Sequence, residues 1–314
     1  MIFPESDAII NAATRIAPFI HRTPVLTSES INEILESRLV FKCENFQKVG
    51  AFKYRGATNA VQQLSHAQLQ YGVATHSSGN HAQALALAAK IKNVPAYIVM
   101  PSNAPKSKKD AVIGYGANII ECDPTLEARE TTLNKVIKEK KAYFIHPYND
   151  YKIIEGQATA AKELIEDTPV LDYIITPVGG GGLLSGSALS VKYFSPGTKI
   201  IGAEPTGADD AYRSFIAGKI IPSINPDTIA DGLLTSLGSK TFPIIKKYVA
   251  QIFTVEDSLI IEAMKLIWQR MKIIVEPSAA VPLAVVMKNN HIFKGKNVGL
   301  IVSGGNMDFN SLPF

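Results

Sequence analysis

Four consecutive glycines, Gly179 to Gly182, leave the apolar run Tyr173-Ile174-Ile175-Thr176-Pro177-Val178 and enter Leu183-Leu184-Ser185-Gly186-Ser187-Ala188, which reads as the start of a helix. Without Cβ atoms such a loop can turn its N–H groups inward at dihedral angles closed to other residues. The helix N-terminus behind it adds roughly half a positive charge. The tail of an anionic cofactor is the ligand this arrangement suits. A flexible linker, the plain alternative, does not fit, because glycine-rich linkers are not normally clamped between an apolar strand and an apolar helix.

The rest of the chain repeats the strand-then-helix order. Strands are expected at Leu39 to Cys43, Gly72 to Thr75, Ala96 to Met100, Ala117 to Ile120, Tyr143 to Ile145, Tyr173 to Val178, Lys199 to Ala203 and Asn297 to Val302. Helices are expected at Ala82 to Lys92, Lys106 to Gly114, Leu126 to Lys140, Ile154 to Ile165, Ser258 to Arg270 and Ala279 to Met287. That alternation means parallel sheet and an α/β fold, and with no linker tract the two halves should pack with a site in the crevice between them.

At 314 residues, 46% hydrophobic and 19% charged, the chain is long enough for one large or two medium domains. Its net charge of +4, with Lys106, Lys108 and Lys109 as the only tight basic cluster, is too small to argue for nucleic acid. No apolar run approaches the ~18 residues of a membrane span, and the N-terminus lacks a basic start with an apolar core. A soluble cytoplasmic protein is expected. Cys43 and Cys122 are too few for a disulfide framework and read as buried thiols.

Two more turns gather donors at strand ends. His76-Ser77-Ser78-Gly79-Asn80-His81 precedes an Ala-rich helix, where Ser and Asn also suit plain N-capping. Ser303-Gly304-Gly305-Asn306 follows the last strand, and either places a small hydroxyl in the crevice or makes an ordinary Gly-Gly turn. Lys53 lies between Phe52 and Tyr54, next to Gly50 and Ala51. Burial and nearby positive charge lower the pKa of such an amine, and a neutral amine can attack an aldehyde.

Taken together, these four motifs resemble the fold-type II pyridoxal-phosphate enzymes, in particular the serine racemase and serine/threonine dehydratase branch. The resemblance runs from His21-Arg22-Thr23-Pro24 through Phe41-Lys42-Cys43-Glu44, Ala51 to Ala57, Ser77 to His81, Pro177 to Gly182, Ile229 to Gly232 and Glu276-Pro277 to Ser303 to Asn306. It implies two open twisted α/β domains of the tryptophan-synthase-β kind. Residues 1–47 and 148–314 would form the large cofactor-binding domain. Residues 48–147 would contain a small mobile domain with a core at about 72–147, placing Lys53 at the domain interface.

Carried onto this sequence, the resemblance implies that Lys53 holds pyridoxal 5'-phosphate covalently with Phe52 packed beside it. Asn80 would bond the ring hydroxyl, Gly179, Gly180, Gly181 and Gly182 the phosphate, and Ser303 the ring nitrogen, with Gly232 and Glu276 completing the cofactor site. A hydroxyl cannot hold that nitrogen protonated as a carboxylate would, so loss of a β-hydroxyl competes well against prolonged carbanion chemistry. The expected activity is dehydration and deamination of a hydroxy amino acid such as L-serine to keto acid and ammonia. Ser77, Ser78, Gly79, Asn80 and His81 would hold the substrate carboxylate. Lys53 would be the base, and Ser78 a proton donor on the opposite face that keeps serine racemisation open. A homodimer is the family expectation, with ATP as a possible activator.

Glu204-Pro205-Thr206-Gly207-Ala208-Asp209-Asp210 offers hard oxygen ligands, and a solvated acidic turn reads equally well there. The resemblance makes Glu204, the Ala208 carbonyl and Asp210 ligands of Mg2+, with Ca2+ or Mn2+ as alternatives. Tyr148, Glu155 and Gly156-Gln157-Ala158-Thr159 depart from the usual pattern on the substrate side, which leaves open L-threonine and threo-3-hydroxyaspartate as substrates. Arg129 is a candidate for closing over a ligand, against the alternative of a helix-surface ion pair. No sensing domain is expected after Phe314. β-Replacement chemistry and a non-catalytic phosphate- or nucleotide-binding protein are the competing readings. The latter gives Lys53 no purpose.

Overall fold

Ten strands form two sheets in the computed structural model, which describes residues 2–309 and 312–314. They are β1 (Val25–Leu26), β2 (Arg38–Cys43), β3 (Val73–His76), β4 (Ala96–Pro101), β5 (Asn118–Cys122), β6 (Tyr143–Phe144), β7 (Tyr173–Pro177), β8 (Lys199–Pro205), β9 (Gln251–Val255) and β10 (Asn297–Val302). The larger sheet has the order β1-β2-β10-β7-β8-β9 and the smaller β5-β4-β3-β6. All pairings are parallel except β1 with β2.

The larger sheet is covered on both faces, which is why its central strands read as nearly unbroken apolar runs. Ile175 and Leu300 face one core with Met264, Ile267, Val281 and Val285, from the helices Asp257–Met271 and Pro277–Lys288. Their neighbours Ile174 and Ile301 face the other, with Ile154, Leu164, Leu184 and Leu189 from the helices Tyr151–Asp167 and Gly182–Phe194. Those two helices touch at Gly186, where a Cβ would stand 2.6 Å from the Ala158 nitrogen. The smaller sheet buries Ile98 and Met100 against Leu85, and Val99 on its other face against Leu133 and Val136.

The α/β class and parallel sheets are as expected, but several elements exceed the sequence reading. The helix Lys53–Gln62 was not anticipated, nor were Ser6–Ile16, Glu29–Leu35, Thr241–Tyr248 and the edge strand β9. Gly56, Thr58 and Asn59 are weak helix formers, yet every residue from Tyr54 to Val61 is buried. Tertiary packing therefore makes that helix. No helix among the described residues is long and apolar enough to cross a membrane.

The loops that carry the sequence motifs follow the carboxyl ends of parallel strands. Ser77 follows β3, Gly179 follows β7 and Ser303 follows β10. That edge of an open α/β sheet is where ligands bind.

Candidate functional site

Lys53 is the first residue of its helix, and the turn before it is stitched to the loop after β10. The Phe52 N–H donates to the Ser303 carbonyl (3.0 Å), Gly305 N–H donates to the Gly50 carbonyl (2.9 Å), and Ala51 bridges Gly304. Gly50 has φ +69°, and a Cβ there would lie 2.7 Å from the Asn306 side chain, so glycine is required twice over. These contacts place Lys53 beside Ser303. Its Nζ donates to the Pro147 carbonyl (3.0 Å) and lies 5.2 Å from the Phe52 ring centre.

Removal from water lowers the Lys53 pKa to about 8, and Glu276 opposes the shift. Burial acts as the sequence suggests. The neighbouring charge does not, because it is negative and works the other way.

The glycine loop is shaped for an anion. Gly179 to Gly182 are all buried, and the N–H groups of Gly179, Gly180 and Gly181 find no acceptor among the described residues. Buried amides without partners are rare and mark a place for a bound acceptor. Gly181 caps the following helix at φ +86°, with no side chain capping it. Added Cβ atoms would collide on every side: with Leu233 Cα (2.9 Å) at Gly179, the Tyr148 ring (2.4 Å) at Gly180, and Ile245 and Leu237 (2.8 Å) at Gly181. Thr241 Oγ1 donates to the Gly180 carbonyl (2.9 Å) and holds the loop from below. The residues present thus fit a phosphate-bearing aldehyde, with bare amides for one end and an amine whose burial eases its deprotonation for the other.

The Ser77 to His81 loop is a second uncapped helix start. The helix Asn80–Lys92 has Gly79 at its N-cap and no side-chain cap, so the capping role open to Ser and Asn in the sequence is not used. Instead Asn80 Nδ2 donates to both oxygens of Glu276 (2.9 and 3.1 Å), while Asn306 Nδ2 donates to Asn80 Oδ1 (2.8 Å). This joins the smaller sheet's loop to the larger sheet's. Burial and the charge of Asp231 push Glu276 up to about 7.

Two histidines complete the wall near Lys53. His81 is held well below its ordinary pKa by burial and by Lys53, and its Nδ1 has no hydrogen-bond partner. His146 accepts the Tyr148 and Asn149 N–H groups at Nδ1 (3.2 and 2.9 Å), and burial lowers it to about 4. Both are neutral imidazoles at physiological pH. His146 escaped the sequence reading because no ligand or triad spacing singles it out, and Asn306 and Thr241 were equally unmarked as site residues.

Among the remaining expected residues, Tyr148 packs its ring on Gly180 and sits edge-on to His146 at 4.7 Å. Ser303 is buried, and Gly232 is exposed, its N–H donating to Ser278 Oγ (3.0 Å) beside Gly179. Ser77 Oγ accepts from the Gly79 N–H (3.3 Å), and Ser78 is half-buried in the same turn. Arg129 is on the helix Leu126–Lys140, with Nε buried and without a partner, and it makes no ion pair among the described residues, so the ion-pair alternative is not realised. Its charge reaches His76.

Glu204 and Asp210 are both fully buried, which removes the reading of a solvated acidic turn. Glu204 accepts the Ala211 and Tyr212 N–H groups (2.8 Å each), and burial with the neighbouring aspartates pushes it up to about 9. Both oxygens of Asp210 lack partners, and burial raises it to about 6. Among the described residues no group of three or more His, Cys, Asp or Glu side chains converges on a metal position, so a cation here needs backbone oxygen and water as well.

Comparison with known proteins gives the same answer as the site. The family of pyridoxal-phosphate dependent enzymes matches residues 16–304. The chain is similar to beta-hydroxyaspartate dehydratase of Paracoccus denitrificans (strain Pd 1222), with 51% identity over 100% of both chains. It is also similar to serine racemase of Dictyostelium discoideum, with 50% identity over 97% of this chain and 95% of that one. Among solved structures, maize serine racemase superposes with a TM-score of 0.96 at 46% identity, covering 98% of this chain and 95% of the other. On matches of this length and identity, the chain belongs to the pyridoxal-phosphate dependent enzymes.

Proposed function

We propose that this enzyme dehydrates a small β-hydroxy amino acid such as L-serine, releasing keto acid and ammonia, and that it also racemises serine. One observation carries the reading. The Lys53 amine, lowered to about 8, lies beside the Ser303 loop in a site that also contains a glycine loop with unpaired amides. Lys53 would bear the cofactor, Gly179 to Gly182 its phosphate, Asn80 its ring hydroxyl and Ser303 its ring nitrogen, with Phe52, Gly232 and Glu276 around the ring. When bound, pyridoxal phosphate links covalently to an amine through its aldehyde and draws electrons from the amino acid's Cα, making that proton removable.

The protein's part follows from its geometry. The uncapped helix at Gly79 holds the substrate carboxylate on backbone N–H groups. Lys53, as a free amine, would take the Cα proton, and the Pro147 carbonyl would give its ammonium form a resting partner. Neutral His81 and His146 keep further positive charge away from that amine. Ser78 delivers a proton to the opposite face of Cα. The smaller sheet's unit, with Arg129, closes over the substrate, and Tyr148 borders the phosphate loop. The enzyme works as a cytoplasmic homodimer.

Measuring keto acid and D-isomer formed from L-serine, L-threonine and threo-3-hydroxyaspartate tests this reading. Absence of keto acid from all three would reject it. The hydroxyaspartate reading of substrate preference is favoured by the full-length similarity to a dehydratase of that name. In the same assay Ser78→Ala should lower racemisation at least about tenfold while dehydration falls by less than about threefold, the loss of one proton donor being worth about tenfold or more. Equal loss of both activities would make Ser78 merely structural.

Glu204, Asp210 and the Ala208 carbonyl form the proposed cation site, because two buried carboxylates lie together there and Asp210 has neither oxygen hydrogen-bonded, which calls for a compensating charge. Chelation should lower the melting temperature by several degrees, and Mg2+, Ca2+ or Mn2+ should restore it. A ligand at about 100 times its Kd stabilises by about 2.7 kcal/mol. Asp210→Asn should melt at the same temperature with and without the ion. A cation response that survives in that variant would place the ion elsewhere.

A further inference from the structure

Two residues along the helix from Lys53, Arg55 enters a cluster of four buried charged side chains to which the proposed reaction assigns no role. Arg55, Lys42 and Glu44 are fully buried, and Glu163 is 8% exposed. Arg55 donates through Nε to Glu44 (2.7 Å), through Nη1 to Glu163 (2.7 Å) and Thr159 (3.1 Å), and through Nη2 to Glu44 and Glu163 (2.8 Å each) and Thr23 (3.3 Å). Lys42 Nζ donates to Glu163 and to the Thr23 carbonyl (2.7 Å each). Thr23 Oγ1 donates to Glu44 (2.6 Å). Every guanidinium nitrogen is engaged, and the formal charges cancel.

The placement gives this balance a purpose. Residues two apart on a helix point to opposite sides, so Arg55 anchors into the large sheet's side while Lys53 emerges into the site. Backbone contact reinforces the anchor: a Cβ at Gly156 would stand 2.6 Å from Gly56 Cα, and the Gly56 N–H donates to Gln157 Oε1 (3.2 Å). Because all four side chains are buried, a single unbalanced charge here would be poorly screened along the helix that begins at Lys53.

We propose that Lys42, Glu44, Arg55 and Glu163 are positioning residues for Lys53, a charge-balanced mount that fixes its helix while adding no net field at its amine. The inference rests on Lys53 being the cofactor-bearing base.

Of the titratable groups around that amine, Glu276 at the start of the helix Pro277–Lys288 acts on its charge, while His81 on the helix Asn80–Lys92 and His146 after β6 are held neutral in part by it. All three stay unchanged in the test. Glu163→Gln and Glu44→Gln leave a net positive charge, which disfavours the ammonium and lowers the Lys53 titration. Lys42→Met leaves a net negative charge and raises it. Each shift should be roughly half to one pH unit. Two readouts follow it: the pH dependence of cofactor capture by the cofactor-stripped full-length protein, seen in visible absorbance, and the acid limb of kcat.

The double variant Lys42→Met/Glu163→Gln, neutral again although it lacks the Lys42–Glu163 ion pair, should return the midpoint to the wild-type value. Lys42→Gln replaces Lys42→Met should the latter not fold, and either glutamate variant serves for the other. Shifts of one sign in all variants, no shift, or a double variant further displaced than the singles would overturn the proposal. Lys53→Ala as a parallel control separates the failures, since retained colour there strikes the Lys53 assignment itself.

Discussion

Lys53→Ala is expected to lose the visible absorption of the bound cofactor and to lower turnover by roughly four orders of magnitude or more. Two functions disappear together. The covalent attachment goes, and so does the amine that takes the Cα proton, a role alone worth about 10²–10⁴-fold. Lys53→Arg should fail almost as badly, because a guanidinium neither condenses with an aldehyde nor deprotonates near neutral pH. The wild-type enzyme should lose kcat as pH falls below about 8, where burial leaves the Lys53 amine half protonated. A base must be neutral to act, so the sign is fixed: activity rises with pH through that value and then levels. A flat profile from pH 6 to 9 would exclude Lys53 as the titrating base.

The second large effect is on stability. Arg55→Leu should cost about 3–5 kcal/mol, because it strands Glu44 in the interior without a cationic partner and leaves Glu163 with Lys42 alone. Burial opposes the charge on Arg55, yet the two glutamates more than offset it and raise its pKa. For a chain of this size the loss appears as a fall in melting temperature of roughly 10 °C. Arg22 provides the contrast. It pairs with Glu166 and Asp167 at 3.2 and 2.6 Å, but with its side chain 54% exposed, so Arg22→Ala should cost less than about 1 kcal/mol. Equal melting temperatures for the Arg55 and Arg22 variants would remove the buried cluster from any structural role.

These two arginines also mark where sequence was and was not readable. Gly179 to Gly182, Ser77 to His81 and Lys53 were legible because the chemistry demands unusual residues in order: bare backbone after a strand, small donors at a helix start, an amine among aromatics. Arg55 and Glu163 carried no such mark. Charged residues sit on surfaces by default, and only the assembled fold shows that glutamates 11 and 108 positions away along the chain meet around one guanidinium. The helix that bears Lys53 was hidden for a related reason, since Gly56, Thr58 and Asn59 argue against it locally and burial decides otherwise. The acidic turn at Glu204 lay between. Its residue types suited either a cation or water, and the complete burial of Glu204 and Asp210 settled against water.

His146 and Asn306 show what contact geometry adds to motif. His146 becomes part of the site only through two backbone donors that keep its Nδ1 an acceptor. Asn306 does so only because its amide ties Asn80 to the loop after β10. Neither position is special by residue type or spacing, so no reading of order alone could select it.

The covalent claim at the centre is open to one direct measurement. Holoprotein reduced with borohydride, digested and sequenced by mass spectrometry should carry a single reduced pyridoxal 5'-phosphate adduct on the peptide containing Lys53, with the visible band lost in proportion to labelling. An adduct on any other lysine, or none in coloured protein, would contradict the assignment of Lys53.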